Sequence, residues 1–454
     1  MRRKGIKRKV YGEEESLLNM ERFRRNADSA ELTVGEFELF FYESMVDRKR
    51  LEWVVVDHLA KHQAIPDIHK LLELKEVEDE LLKGFCVIKH GDSWFSIPIS
   101  DRQSRDVTVP ETEATVTGQR LAFNENLQIN LNLLRNTVRS KDLVIEQWEI
   151  GTASPRSVCM AYIEGKAQAG TVQQIKERIQ AFDIEYLEGS SHLEQLLNKR
   201  TYSVFPSMLH TERVDRVTAQ LLAGRIALFV DGNPFVLTAP HRFIENLQSP
   251  EDYQMNWLMG SALRLLRITS FFIGFVLTPF YVAIVTFHYL VIPPELMVLL
   301  AESRSQVPFT PMVEALLMEV AIELLRETGS RLPERVGQTV GIVGGIVIGQ
   351  AAVTAGLTSN ILLIVVALSM LATLVLPFQL SNSVRILRFP LLFAAGVFGG
   401  LGVMIGMFLI VTYLCRLKHF EEPYFSPQGA LLPERLLDSA IRAPFQKMMK
   451  KEGS

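Results

Sequence analysis

Between Ile268 and Leu414 the chain has no lysine and no aspartate; those 147 residues hold six arginines and seven glutamates. The full 454 residues carry 48 Lys+Arg and 51 Asp+Glu, so most of the charge lies outside that block. Residues 1–260 hold 33 basic and 39 acidic side chains, net −6, and the remainder holds 15 and 12, net +3. This asymmetry excludes one uniform soluble enzyme and predicts a charged, water-facing half joined to a membrane half. Cysteine is scarce as well. Cys86, Cys159 and Cys415 are odd in number and far apart. They form no disulfide framework and no metal-ligand spacing, which fits a reducing compartment. The chemistry-bearing motifs are missing too: there is no P-loop, no GxGxxG after a strand, no HExxH and no Gly-x-Ser-x-Gly. The nine histidines are scattered without ligand spacing, so no enzyme, metal or cofactor is expected. A pI near 6.4 gives no reason to expect nucleic-acid binding. The basic start (Arg2, Arg3, Lys4, Lys7, Arg8, Lys9) runs into Gly-Glu-Glu-Glu-Ser rather than an apolar core, so no cleaved signal peptide is read. Residues 1–35 read as a disordered basic arm, with attraction to anionic lipid as the sharper alternative.

Four stretches in the second half are long and apolar enough to span hydrocarbon: Ile268–Leu290, Val336–Gly356, Ile361–Pro377 and Phe389–Leu414. The third is at the lower limit. Residues 291–335 differ: Pro293-Pro294, a short apolar run, then Pro308 and Pro311 predict broken, re-entrant or interfacial helices. The count therefore stays at four or five spans within a membrane domain over 262–415. Met312–Glu327 has helical periodicity and carries Glu314, Glu319, Glu323, Arg326 and Glu327. On a helix Glu319, Glu323 and Glu327 form one acidic stripe with Arg326 beside it. Three readings compete: a water-facing interfacial helix, a structural Glu–Arg network between subunits, and an ion-lining element. Glu314, Glu319, Glu323 and Arg326 are the candidate pore or gating residues. Gly337, Gly341, Gly345 and Gly349 recur every four residues and predict a flat face for close helix packing. The basic tail 416–454 and the charged N-terminal half are both read as cytoplasmic.

Residues 36–245 alternate short strands with helices, and the pattern occurs twice. In the first copy Phe37–Tyr42, Phe85–Lys89 and Trp94–Ile99 read as strands, and Val46–His62 and Lys75–Leu82 as helices. In the second, Val158–Ile163, Arg225–Val230 and Phe235–Leu237 are strands and Thr171–Phe182 is a helix. Leu-Leu-Lys-Gly at 81–84 and Leu-Leu-Ala-Gly at 221–224 are the best-matching parts. The fold class is thus an α/β soluble N-terminal region of two related subdomains, 36–130 and 131–250, followed by an all-α multi-span membrane bundle. A cleft between two such subdomains is a candidate place for a small ligand, but no motif points to one.

Three stretches carry a resemblance: FPSMLHTERVDRVTAQLLAGRIALFVDGNPFVLTAP at 205–240, VPFTPMVEALLMEVAIELLRETGSRLPERVGQTVGIVGGIVIGQAAVTAGLTS at 307–359, and EEPYFSPQGALLPERLLDSAIRAP at 421–444. With the intervening spans they resemble the A subunit of the GerA-type spore germination receptors over 155–444. Before residue 130 the likeness is one of general pattern. The resemblance implies a protein of the spore inner membrane that works with a nutrient-binding B subunit and a lipoprotein C subunit. It also implies a homo-oligomer forming a nutrient-gated ion channel, in contact with membrane lipid. A secondary transporter, a membrane scaffold, and a family paralogue that amplifies germination without sensing nutrient are the alternatives.

Overall fold

The structure, a computed structural model, describes residues 20–61, 68–71, 74–100, 118–198, 203–332, 334–420 and 422–425, with a few isolated positions besides. The chain divides into two compact units, Met1–Thr201 with Ser207–His241, and Tyr202–Pro206 with Arg242–Ser454.

The first unit contains two five-stranded antiparallel sheets. One is built from β1 (Ser29–Val34), β2 (Phe37–Tyr42), β3 (His69–Leu71), β4 (Cys86–His90) and β5 (Ser93–Ile97), in the order β1-β2-β4-β5-β3. Successive strand side chains point to opposite faces, so β2 serves two cores. Leu39 and Phe41 pack with Val46, Leu51, Val55, Leu59, Cys86 and Ile88 on one face. Phe40 and Tyr42 pack with Phe23, Met45, Val77, Leu81 and Val87 on the other. The first face is covered by a helical stretch whose middle, Leu51–Val56, is π-helical; the second is covered by α1 (Leu74–Leu82). β1 and the helical turn at residues 20–24 fall inside the stretch 1–35 that composition marks as an arm. The strand was hidden by its exposed Glu31 and Thr33, which face away from the core. Residues 1–19 lie outside the described residues.

The second sheet follows α2 (Leu127–Val138). It comprises β6 (Leu143–Ile150), β7 (Arg156–Ile163), β8 (Leu209–Thr211), β9 (Ile226–Val230) and β10 (Val236–Ala239), with α3 (Ala169–Gln180) and α4 (Ser190–Leu197) after β7 and α5 (Val214–Leu222) after β8. Its order β6-β7-β9-β10-β8 repeats the first sheet strand for strand, which bears out the reading of two related subdomains. The two Leu-Leu-x-Gly segments fill equivalent places. Gly84 (φ +79°) and Gly224 (φ +83°) each turn the chain out of a helix into the next strand, a left-handed position that costs other residues steric strain. α2 and β6 lie within 100–155, a stretch to which the sequence reading assigns no element. Leu127, Leu131, Leu134 and Val138 nonetheless recur at helical spacing and face the same core as Val214, Val217 and Leu221 of α5.

The subdomains are tied by one buried guanidinium. Arg135 of α2 donates to Asp28 (2.5 and 2.6 Å) and Asn26 (3.1 Å), and lies 3.9 Å from the centre of the Tyr42 ring. Asp28 also accepts from the Ser44 hydroxyl at 2.6 Å. Such a cluster is fully satisfied only when both subdomains are in place, so it fixes their register.

The second unit is helical: α6 (Trp257–Phe287), α7 (Pro294–Arg304), α8 (Pro311–Arg331), α9 (Glu334–Thr354), α10 (Asn360–Leu374) and α11 (Phe378–Arg416). α6 begins eleven residues before the expected span because the Asn256 side chain caps it, accepting from the Leu258 N–H. Among the described residues two helices are long and apolar enough to cross a membrane by length and composition, α6 and α11. α10, at 15 residues, rises about 22 Å, short of a hydrocarbon core of about 30 Å. α11 is not straight, although 389–414 read as a single span. Gly399 (φ 60°, ψ −140°) breaks it, and a side chain at Gly406 would strike Leu391. In a straight helix those two positions would stand about 22 Å apart. The two arms therefore fold towards each other. The break frees N–H groups at the start of the second arm, and the Gly400 N–H donates to His288 Nε2 at 3.2 Å.

Candidate functional site

α8 opens on Pro311, whose fixed φ suits the first turn and whose missing N–H costs nothing there. Glu314 follows at once and is fully buried. Its Oε1 accepts from the Ser359 N–H (2.5 Å) and the Thr358 hydroxyl (3.3 Å), placing a carboxylate at the N-terminus of α10. An anion is favoured there because the first N–H groups of a helix lack intrahelical partners. Arg304 of α7 faces the other oxygen, its Nε 3.8 Å away. Glu314 thus joins three helices.

Glu319, also buried, accepts from Arg388 Nη1 at 2.6 Å. Arg388 does more than pair with it. Its Nε donates to the Gly274 carbonyl of α6 at 2.7 Å and its Nη2 to the Ser369 carbonyl of α10 at 3.4 Å. One guanidinium from α11 therefore holds α6, α8 and α10 together. Close approach is possible because Gly274 has no side chain; a Cβ there would sit 3.1 Å from Thr373 and from Val384. One turn further along α8, Glu323 is gripped by Arg385, with Nε at 3.1 Å from Oε2 and Nη2 on the other oxygen. A bidentate fork of this kind fixes orientation as well as charge. Arg326, half-buried, lies on the same face of α8 one turn beyond Glu323.

Arg385 and Arg388 fall just before the expected span Phe389–Leu414. They lie inside α11, which starts at Phe378 directly after Pro377. Their three-residue spacing matches the four-residue spacing of Glu319 and Glu323 across an antiparallel pair, a signal present in the sequence. Of the glycines, Gly349 packs on Leu363 at 3.5 Å from its would-be Cβ, Gly344 on Leu325 at 2.9 Å, and Gly345 meets nothing within 4 Å. The surroundings of Gly337 and Gly341 lie outside the described residues. A further cluster escaped the sequence reading. Fully buried Asp252 accepts from Arg264 (3.2 Å), Arg267 (3.0 Å) and the Ser249 N–H (3.2 Å), anchoring the start of α6.

Chemically, these carboxylates are occupied. Each buried acid of α8 has a guanidinium or helix N-terminus against it, and breaking one pair would strand the other charge in an apolar surrounding. The arrangement is a latch between helices.

The family model described as Bacillus/Clostridium GerA spore germination protein matches residues 15–454. The chain belongs to the GerA family. Spore germination protein GerQA of Bacillus cereus is 38% identical over 426 residues, covering 90% of this chain and 85% of that protein. A Bacillus subtilis protein named uncharacterized membrane protein YfkQ is 40% identical over 357 residues, 78% of this chain and 70% of that one. The crystal structure of the N-terminal domain of the A subunit of the Bacillus megaterium spore germinant receptor GerK3 aligns with a TM-score of 0.37 at 24% identity, covering 50% of this chain and 93% of that one. The resemblance read from 205–240, 307–359 and 421–444 is borne out, and the GerA match reaches further back, to residue 15.

Proposed function

We propose that this chain is the A subunit of a germinant receptor, oligomerising in the spore inner membrane as a nutrient-gated ion channel with a nutrient-binding B subunit and a lipoprotein C subunit. In this reading its N-terminal region lies on the spore-core side. The observation that carries the reading is the paired acidic face of α8: Glu319 on Arg388 and Glu323 on Arg385. Ionisable groups are costly at membrane depth and persist there when they are paired or line a functional path. Here they hold α8 against α11 in a charge-neutral closed arrangement. Glu314, against Arg304 and the α10 N-terminus, fixes the other end of α8.

Gating follows as a population shift. The closed oligomer carries a minor open state in which the α8–α11 pairs separate or exchange partners, and nutrient bound to a partner subunit favours that state. A nutrient with equal affinity for both states would shift nothing. The test is conductance of the assembled receptor carrying Glu319→Gln and Glu323→Gln. Opening at lower nutrient, or altered ion selectivity, is expected. Unchanged conductance and selectivity in an assembled complex would remove these residues from gating and leave them as packing.

A further inference from the structure

Buried polar groups nearly always find a hydrogen-bond partner, and where the protein supplies none the partner is ordered water. Several such groups collect where α6 faces α8. Thr278 of α6 is fully buried, and its hydroxyl has no hydrogen-bond partner among the described residues. The same holds for the Tyr281 hydroxyl, Glu314 Oε2 and Glu319 Oε1. Arg304 Nε, buried and also without a hydrogen bond, stands 3.8 Å from Glu314 Oε2, too far for a direct one. The sequence dictates one more group. Pro279 lies inside α6 and has no N–H, so the Phe275 carbonyl one turn back loses its helical donor. In membrane helices a carbonyl freed in this way is satisfied by neighbouring hydroxyls or by ordered water.

These groups lie along one line. Gly274, Thr278 and Tyr281 are four and then three residues apart and share a face of α6. At one end of that face Arg388 joins the Gly274 carbonyl to Glu319. At the other, the Tyr281 hydroxyl lies beside Ser359, Glu314 and Arg304 without making a directed hydrogen bond. Thr278 stands between. On the opposite wall Glu314 and Glu319 are five residues apart, about 7.5 Å along α8. Val282, Ala315, Met318, Leu362 and Val366 pack around the seam and shut out bulk solvent. A ligand here must donate to carboxylate oxygens and a carbonyl while accepting from the Arg304 Nε–H. Water does both. A cation offers nothing to Arg304, and Arg304 and Arg388 already balance the two acids.

We propose that the α6–α8 seam binds a short file of ordered water, which links the Phe275 carbonyl and the Thr278 and Tyr281 hydroxyls to Glu314 and Glu319. The water solvates the second oxygen of each buried acid, so the Glu319–Arg388 pair can part without leaving a dry charge. That consequence for gating rests on the function proposed above; the water site itself does not.

The experiment combines two readouts on the full chain in mild detergent. The first is thermal unfolding of Thr278→Val, which keeps the shape and removes the hydroxyl. A dry, unpaired hydroxyl is a cost, so its removal would raise Tm; a hydroxyl that holds water loses those bonds, and a Tm lower by several degrees is expected. The second is X-ray hydroxyl-radical footprinting, in which radiolysis of bound water oxidises the side chains beside it. Met318, buried against the seam, is expected to be oxidised in the folded wild type and in Thr278→Ser. In Thr278→Val with Tyr281→Phe its oxidation is expected to fall several-fold, whereas simple loosening of the fold would raise it. A higher Tm for Thr278→Val, an unmodified Met318 in wild type, or equal oxidation in wild type and the double variant would overturn the proposal. Exchanging sodium for potassium or for a bulky organic cation is expected to leave the Tm difference unchanged. A cation-specific rise lost in Thr278→Val would assign the site to that ion and overturn the water. No conductance from the assembled receptor, with Met318 still oxidised, would overturn the gating reading and leave the water site standing.

Discussion

Removing one side of the Glu319–Arg388 pair is the sharpest perturbation the helical unit offers. Glu319→Gln keeps the shape but leaves the Arg388 charge with only the Gly274 and Ser369 carbonyls. Breaking a buried pair from one side costs about 3–5 kcal/mol, chiefly because the surviving charge is stranded. For a unit of this size, about 1 kcal/mol moves Tm by roughly 2–4 °C, so Glu319→Gln should lower Tm by about 6–20 °C. Arg388→Met should cost a similar amount by stranding the carboxylate. The double variant, with neither charge left, should cost clearly less than the sum, with a coupling of about 2–4 kcal/mol. The assay is thermal unfolding of the full chain in mild detergent for wild type, both single variants and the double. Additivity within about 0.5 kcal/mol would show that the two side chains do not act as a pair and would refute the latch.

Other perturbations separate local effects. Gly399→Ala should destabilise α11 by about 1–3 kcal/mol, from left-handed strain and from a Cβ meeting Phe287 at 2.9 Å. Adding Phe287→Ala should relieve the clash but not the strain, which thermal unfolding of the pair would resolve. Burial raises the Glu194 carboxyl, but hydrogen bonds from His210, Ser207 and the Met208 N–H outweigh it and bring it down to about 2. A carboxyl depressed in the fold adds stability above its unfolded value, about 4.3, and loses it as pH falls towards 2. Glu194→Gln should therefore cost about 2–3 kcal/mol at neutral pH, and the gap from wild type should narrow between pH 4.5 and 2, as measured by denaturant unfolding. Cys86 and Cys159 are buried with thiols pushed up to about 12, whereas Cys415 is exposed. A thiol-specific reagent should modify Cys415 alone in the native protein and all three cysteines after unfolding, as peptide mapping would report.

Where the sequence was legible, period and punctuation carried the signal. The strand Phe37–Tyr42 was readable as a short apolar run, and the helix Ala169–Gln180, read as Thr171–Phe182, from its helical spacing. The duplication was visible in two Leu-Leu-x-Gly segments because both end a helix with a left-handed glycine. β3 and β8 went unread because three-residue strands carry too little period, and β8 is recruited to its sheet through pairing with β10. The acidic stripe of α8 was legible as a pattern but not as pairs. Its partners lie 62 and 69 residues away, and only the packing of α8 against α11 brings them within reach. The bend at Gly399 was hidden for a related reason. A glycine inside an apolar run reads as close packing, while the positive φ that breaks the helix is a tertiary outcome.

The central claim, the proposal that this GerA-family chain gates an ion path, is tested most directly by membrane potential in growing cells expressing it with the proposed B and C subunits as nutrients are added. The account predicts rapid depolarisation that requires all three subunits and that shifts to lower nutrient when Glu319 and Glu323 are replaced by glutamine. A complex that assembles fully, binds nutrient and leaves the potential unchanged would contradict it.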